Sequence, residues 1–279
     1  MIISQGVGMA RRMLGAAMAL CLGSGAALAH FQEILPSADV LPDGGPVTVD
    51  LVFTHPMEGG PAMDMARPKR VGVKTAAGVT DLLPKIASET VNGKQAWRLA
   101  YDLKAPGGVL FFVEPQPYWE PAENKYIIHY AKVFVDGFAS GEGWDAKVGL
   151  PVEIEPLVRP TGLWTGNLFR GLVRKDGKPV PFAEIEVEYV NDGAVKAPNE
   201  AFITQVIKAD QNGVFSYAMP RAGWWGFAAL VDGDKPMKGP DGKPAKVELG
   251  GLIWVKATDM QASEAASGKA EAPASASSK

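Results

Sequence analysis

The segment Asp176-Gly-Lys-Pro-Val-Pro-Phe-Ala-Glu-Ile-Glu-Val-Glu-Tyr189 decides the fold class. Its Asp-Gly-Lys-Pro opening is a tight turn. Ala183, Ile185, Val187 and Tyr189 then alternate with Glu184, Glu186 and Glu188. That is the period of a strand with one face in a core and an acidic face in water. The same pattern recurs upstream, where Val47, Val49, Leu51 and Phe53 alternate with Thr48 and Asp50. Further strand-like runs cover 70–74, 96–103, 108–113, 125–135, 150–155, 201–209, 214–218, 224–231 and 247–256. The 32 Gly and 22 Pro are spread evenly between them, and no stretch keeps a helical period. The chain therefore reads as all-β, with two tandem β-sandwich domains over residues 30–157 and 158–258.

The ends of the chain read differently. Arg11 and Arg12 precede an apolar run from Met13 to Leu22, then Gly-Ser-Gly and Ala26-Ala-Leu-Ala29. Basic, apolar and small-residue regions in that order form a signal peptide, expected to be cut after Ala29. Its apolar part is too short to span a bilayer. Export to the periplasm follows, and His30 becomes the first mature residue. A lipoprotein start at Cys21 fits poorly, because Leu20 stands directly before it. Residues 259–279 are nearly all Ala, Ser, Glu, Lys and Gly, a composition that cannot bury a core and is expected to stay disordered.

Charge and cysteine content narrow the chemistry. Removing Arg11 and Arg12 from 28 basic residues leaves 26 against 31 acidic ones. That balance gives no reason to expect nucleic acid or an anionic membrane as partner. Cys21, the only cysteine, leaves with the signal. Any metal site must then draw on His, Met, carboxylates or the amino terminus. No G-x-S-x-G elbow, phosphate loop or paired acid/base carboxylates appear, so no enzyme is expected. The aromatic run from Phe111 to Trp119 reads as core with a loop cover.

Three histidines carry the functional reading. A mature amino-terminal His30 offers its α-amine and ring Nδ1 as a chelate. His55 ends the strand that begins near Val47 and shares the parity of its core-facing residues. His129 sits mid-strand in Lys125-Tyr-Ile-Ile-His-Tyr-Ala-Lys-Val-Phe-Val135, where both faces are largely apolar. Alone, His129 reads as a core histidine bonded to a backbone carbonyl. Together the three supply four nitrogen donors, a set suited to tetragonal Cu(II) or Ni(II). Met57, Met63 and Met65 follow His55 closely. Met57 is the best placed for an occasional thioether ligand, with Glu58 and Asp64 as nearby oxygens, and Met63 reads as part of a mobile loop.

Two resemblances extend this reading. The order "DGKPVPFAEIEV", "DQNGVFSY", "GWWGFAAL" resembles prealbumin-like and carboxypeptidase-regulatory-like sandwiches, which concerns the fold only. "AHFQEILPS", "VTVDLVFTHPMEGG", "KYIIHYAKVFV" and "GWDAKVGLPVEIEP" resemble the periplasmic nickel and cobalt uptake accessory proteins, the NikK-like family. The two sandwiches are expected to be immunoglobulin-like and prealbumin-like, and this resemblance implies a metal site of His30, His55 and His129 with the second sandwich for support or docking. It also implies a Ni(II) or Co(II) cargo passed to an inner-membrane importer of the energy-coupling-factor type. Cu(II) outcompetes Ni(II) at nitrogen sites, so a periplasmic copper carrier is the first alternative. The others are an oxidative copper enzyme, against which a third histidine ligand speaks, and a metal-free adhesion module.

Overall fold

The computed structural model describes residues 30–261, so the expected signal peptide and nearly all of the tail lie outside the described residues. Strands make up the regular structure there, with two 3-10 turns at Leu83–Lys85 and Glu200–Phe202. No helix among these residues is long and apolar enough to cross a membrane.

Two sandwiches form, but they are built on one shared sheet. That sheet runs Gln205–Lys208, Glu184–Tyr189, Gly223–Asp232, Pro244–Thr258, Lys125–Gly137, Gly107–Glu114, Arg70–Thr75, Gly78–Asp81. Its two halves meet where Lys125–Gly137 lies parallel to Pro244–Thr258, in register from Lys125 opposite Lys246 to Val133 opposite Trp254. A four-stranded sheet in the order Phe31–Pro36, Gly45–Thr54, Lys94–Leu103, Ala87–Val91 closes the first core. A smaller sheet of Val152–Pro156, Leu168–Lys175, Lys178–Pro179 and Val214–Ala218 closes the second.

Alternation along the last strand divides its residues between the cores. Leu252 and Trp254 join Phe31, Ile34 and Val133 in the first. Ile253 and Val255 join Ile154, Phe169 and Phe227 in the second. A strand buried on both faces carries a continuous apolar run, which explains the pattern around His129. The expected turn is a two-residue hairpin in which Lys175 pairs with Lys178. Asp176 (φ 50°) and Gly177 (φ 76°) are both left-handed, as that turn requires.

Three sequence expectations are corrected. The 150–155 segment, expected in the first sandwich, is Val152–Pro156 and pairs with Leu168–Lys175 in the second core's sheet, with Ile154 facing that core. Only Gln205–Lys208 of 201–209 is strand, because the chain first makes the 3-10 turn capped by the Asn199 side chain on Ala201 N–H. The acidic face of Glu184–Tyr189 is not simply solvated: Glu188 is fully buried. Met57 N–H and the Thr204 hydroxyl, from the loops on either side, both donate to it.

Candidate metal centre

The three histidines meet at one end of the first sandwich, and register explains two of them. Phe31 pairs with Thr54 and Gln32 with Phe53, so the next antiparallel position outward sets His30 beside His55. Directly opposed residues bring side chains into contact. The His30 and His55 ring centroids are 4.7 Å apart. His129 comes from the facing sheet and meets the edge of Phe53, centroids 6.2 Å apart, while Phe53 stacks on His30 at 5.6 Å. Tyr118 flanks His30 at 5.7 Å.

His129 is 2% exposed, and its surroundings do not match an ordinary core histidine. Its Nε2 lies 3.3 Å from Glu248 Oε1 rather than against a backbone carbonyl. Its Nδ1 is buried with no hydrogen-bond partner. Leaving such an atom unsatisfied costs about 1–3 kcal/mol. Gly250, in register with His129, makes room for the ring: a Cβ there would come within 2.4 Å of His129 Cδ2. A cavity of about 50 Å³, lined by Gln32, Phe53, Met65, Tyr118 and His129 among others, reaches this ring. That volume suffices for a single water-sized species, and of the three histidines only His129 lines it.

Carboxylates surround the cluster. Glu120 Oε2 is 3.0 Å from His30 Nε2. Burial, reinforced by the neighbouring His55, lowers the His30 pKa to about 4 despite Glu120. At neutral pH the contact is therefore a hydrogen bond from a neutral ring and not an ion pair. Glu248 Oε2 accepts from Lys125 Nζ at 2.6 Å. Burial works to raise the Glu248 pKa, but hydrogen bonds from His129 and Lys125 prevail and hold it at about 2. Burial raises Glu33 and Glu186 to about 8, with Glu188 adding repulsion in both cases and Glu248 in the second. Burial also raises Glu188 to about 7, although Thr204 and the Met57 N–H both donate to it.

The methionines separate. Met57 turns away from the rings and lines a different cleft with Tyr189, Ile203 and Trp225. Its backbone is held by Glu188 and by Asn191 Nδ2, 2.9 Å from Met57 O. Met65 lines the cavity beside His129, and its sulfur lies 3.5 Å from Gln32 Nε2. Met63 does not belong to a loose loop, since it bridges to Phe53 with Met63 N–H 2.8 Å from Phe53 O. Asp64 accepts from Lys94 at the surface, while Glu58 is exposed.

Among the described residues no three His, Asp or Glu side chains already converge on a single metal position. Two of the ring nitrogens are instead engaged by Glu120 and Glu248. Sequence reading missed Glu120, Glu248 and Gly250. Glu248 stands 119 positions from His129, so only strand pairing brings them together.

A family profile described as "Domain of unknown function (DUF4198)" matches residues 27–233. No curated protein is significantly similar to the sequence. Among solved structures, the native conformation of E. coli alpha-2-macroglobulin is similar at 11% identity and TM-score 0.22, over 82% of this chain and 14% of that one. Titin domains A168–A170 are similar at 10% and 0.20, over 76% and 60%. A putative carbohydrate binding protein from Bacteroides uniformis is similar at 12% and 0.22, over 81% and 97%.

Proposed function

The chain belongs to the DUF4198 family, and from that premise and its histidine cluster we propose that it is an exported carrier of a divalent transition-metal ion. The cargo is Ni(II) or Co(II), received in the periplasm and handed to an inner-membrane importer; no bond in a substrate is made or broken. The observation that carries this reading is the buried, unpartnered Nδ1 of His129, whose ring meets Phe53 as the His30 ring of the His30–His55 pair does. A protein keeps such an unsatisfied nitrogen at a cost, and a bound ion would offset it. Imidazole suits first-row ions such as nickel, and the acidic groups nearby favour a cation. Burial of His30 keeps its ring neutral and ready to bind. His30, His55 and His129 would hold the ion, with the His30 α-amine as a fourth donor once the chain begins there.

The test is a calorimetric titration of Ni(II) into protein whose first residue is His30. One ion should bind per chain, and His129→Leu, which keeps the volume and removes both nitrogens, should abolish binding while leaving the apo protein folded. Retained affinity in His129→Leu, or no binding by the parent, would overturn the reading. One observation favours a second cargo: Met65, a soft donor, lines the cavity that His129 lines. If Met65→Leu loses copper affinity and spares nickel affinity, the carrier is one for copper.

A further inference from the structure

Two of the three histidines share an arrangement that the ligand set alone does not require. His30 Nε2 lies 3.0 Å from Glu120, and His129 Nε2 lies 3.3 Å from Glu248. Both carboxylates are themselves anchored. Glu120 Oε1 accepts the Ala122 N–H at 2.9 Å, and Glu248 Oε2 accepts Lys125 Nζ at 2.6 Å. An ionised carboxylate only accepts, so the ring nitrogen facing it must carry the hydrogen. A neutral imidazole has one N–H, and with Nε2 protonated the lone pair resides on Nδ1. At His129 that atom is the buried one without a partner.

We infer that Glu120 and Glu248 are positioning residues that lock His30 and His129 as Nε2–H tautomers, so that both rings present Nδ1 to the metal. The inference rests on the carrier reading and specifies which nitrogen binds. Neither carboxylate needs to touch the ion. Each orients its ring, makes the donor nitrogen more basic, and spares the site a tautomer change on loading. Lys125 and the Ala122 N–H keep the carboxylates from swinging in as ligands. At His30 the arrangement has a further consequence: Nδ1 is the ring nitrogen that closes a chelate with the α-amine.

Nitrogen-15 NMR of the imidazoles tests this directly on protein beginning at His30. In the metal-free protein both rings should show a protonated Nε2 and an unprotonated Nδ1. On adding Zn(II) as a diamagnetic probe, Nδ1 should shift while the Nε2–H proton persists. Glu120→Gln and Glu248→Gln preserve shape but let an amide either donate or accept. Each should mix the tautomers at its partner ring and weaken Ni(II) binding roughly 10- to 100-fold. Wild-type protein that binds none of these ions overturns the carrier reading and the donor assignment together. Wild-type protein that binds, while both variants keep its affinity and ring state, overturns only the role given to the carboxylates. Metal on Nε2 would overturn it too.

Discussion

At the scale of single residues, the site is shaped by what is missing as much as by what is present. Gly250 is the clearest case, because the His129 ring occupies the space where any other residue would put a Cβ. Gly250→Ala should force the ring off its position, costing about 1–3 kcal/mol of apo stability. It should also break the His129–Glu248 contact and weaken metal binding. Thermal melting and Ni(II) titration of the same variant check both halves, and unchanged values in both would show that the ring is not pinned there. His129→Ala is a poorer probe. It opens a cavity while relieving an orphaned nitrogen, two effects of opposite sign that His129→Leu separates.

At the scale of elements, the Glu184–Tyr189 strand shows how a half-polar strand becomes a titrating one. Ile185 and Val187 fill the second core, and its other face is roofed by neighbouring loops, so that Glu188 is sealed by Thr204 and the Met57 N–H. Glu186 and Glu33, each near Glu188, have carboxyl groups raised to about 8. The folded state therefore holds protons that the unfolded chain gives up near pH 4.5. Stability contributed by these groups is present below that value and is lost as pH rises toward 8. His30, lowered to about 4, acts in the opposite sense, adding stability as pH rises from about 4 to 6.5. The net fall should thus be clearest between pH 6.5 and 8. Melting curves across that range should decline for the wild type and flatten in Glu33→Gln and Glu186→Gln. The pH 8 melting temperature of each variant should rise by roughly 2–4 °C per kcal/mol recovered. A wild-type melting temperature that climbs between pH 6.5 and 8 would contradict the buried carboxyl groups.

At the scale of the whole molecule, the two sandwiches cannot be separated by cutting one linker. They share the sheet in which Pro244–Thr258 pairs with Lys125–Gly137 on one side and Gly223–Asp232 on the other. The buried pair of Lys132 Nζ and Glu153 Oε1, 2.6 Å apart, ties the second core's outer sheet to the same central strand. Calorimetry should therefore record one cooperative transition with equal calorimetric and van't Hoff enthalpies. Two resolved transitions would mean that the shared sheet does not couple the halves. A chain ending before Pro244 should lose both cores.

The sequence by itself determined that the chain is β throughout, where most strands lie, that Asp176-Gly177 turns a hairpin, and that His30, His55 and His129 are the residues to watch. Those readings rest on alternation and turn chemistry, which act between near neighbours and are therefore written locally. Alternation reports that a strand has a buried face, but not what buries it. Hence alternation alone puts Val152–Pro156 in the wrong sandwich and Glu186 and Glu188 in water. Pairing between distant strands is likewise not local. Only the tertiary structure put Glu248 on His129, Glu120 on His30 and Gly250 beneath a ring, and turned Met57 into another cleft while Met65 faced the cavity. Those contacts depend on pairing and register between strands far apart in the chain, where a slip of one position would send every side chain to the opposite face.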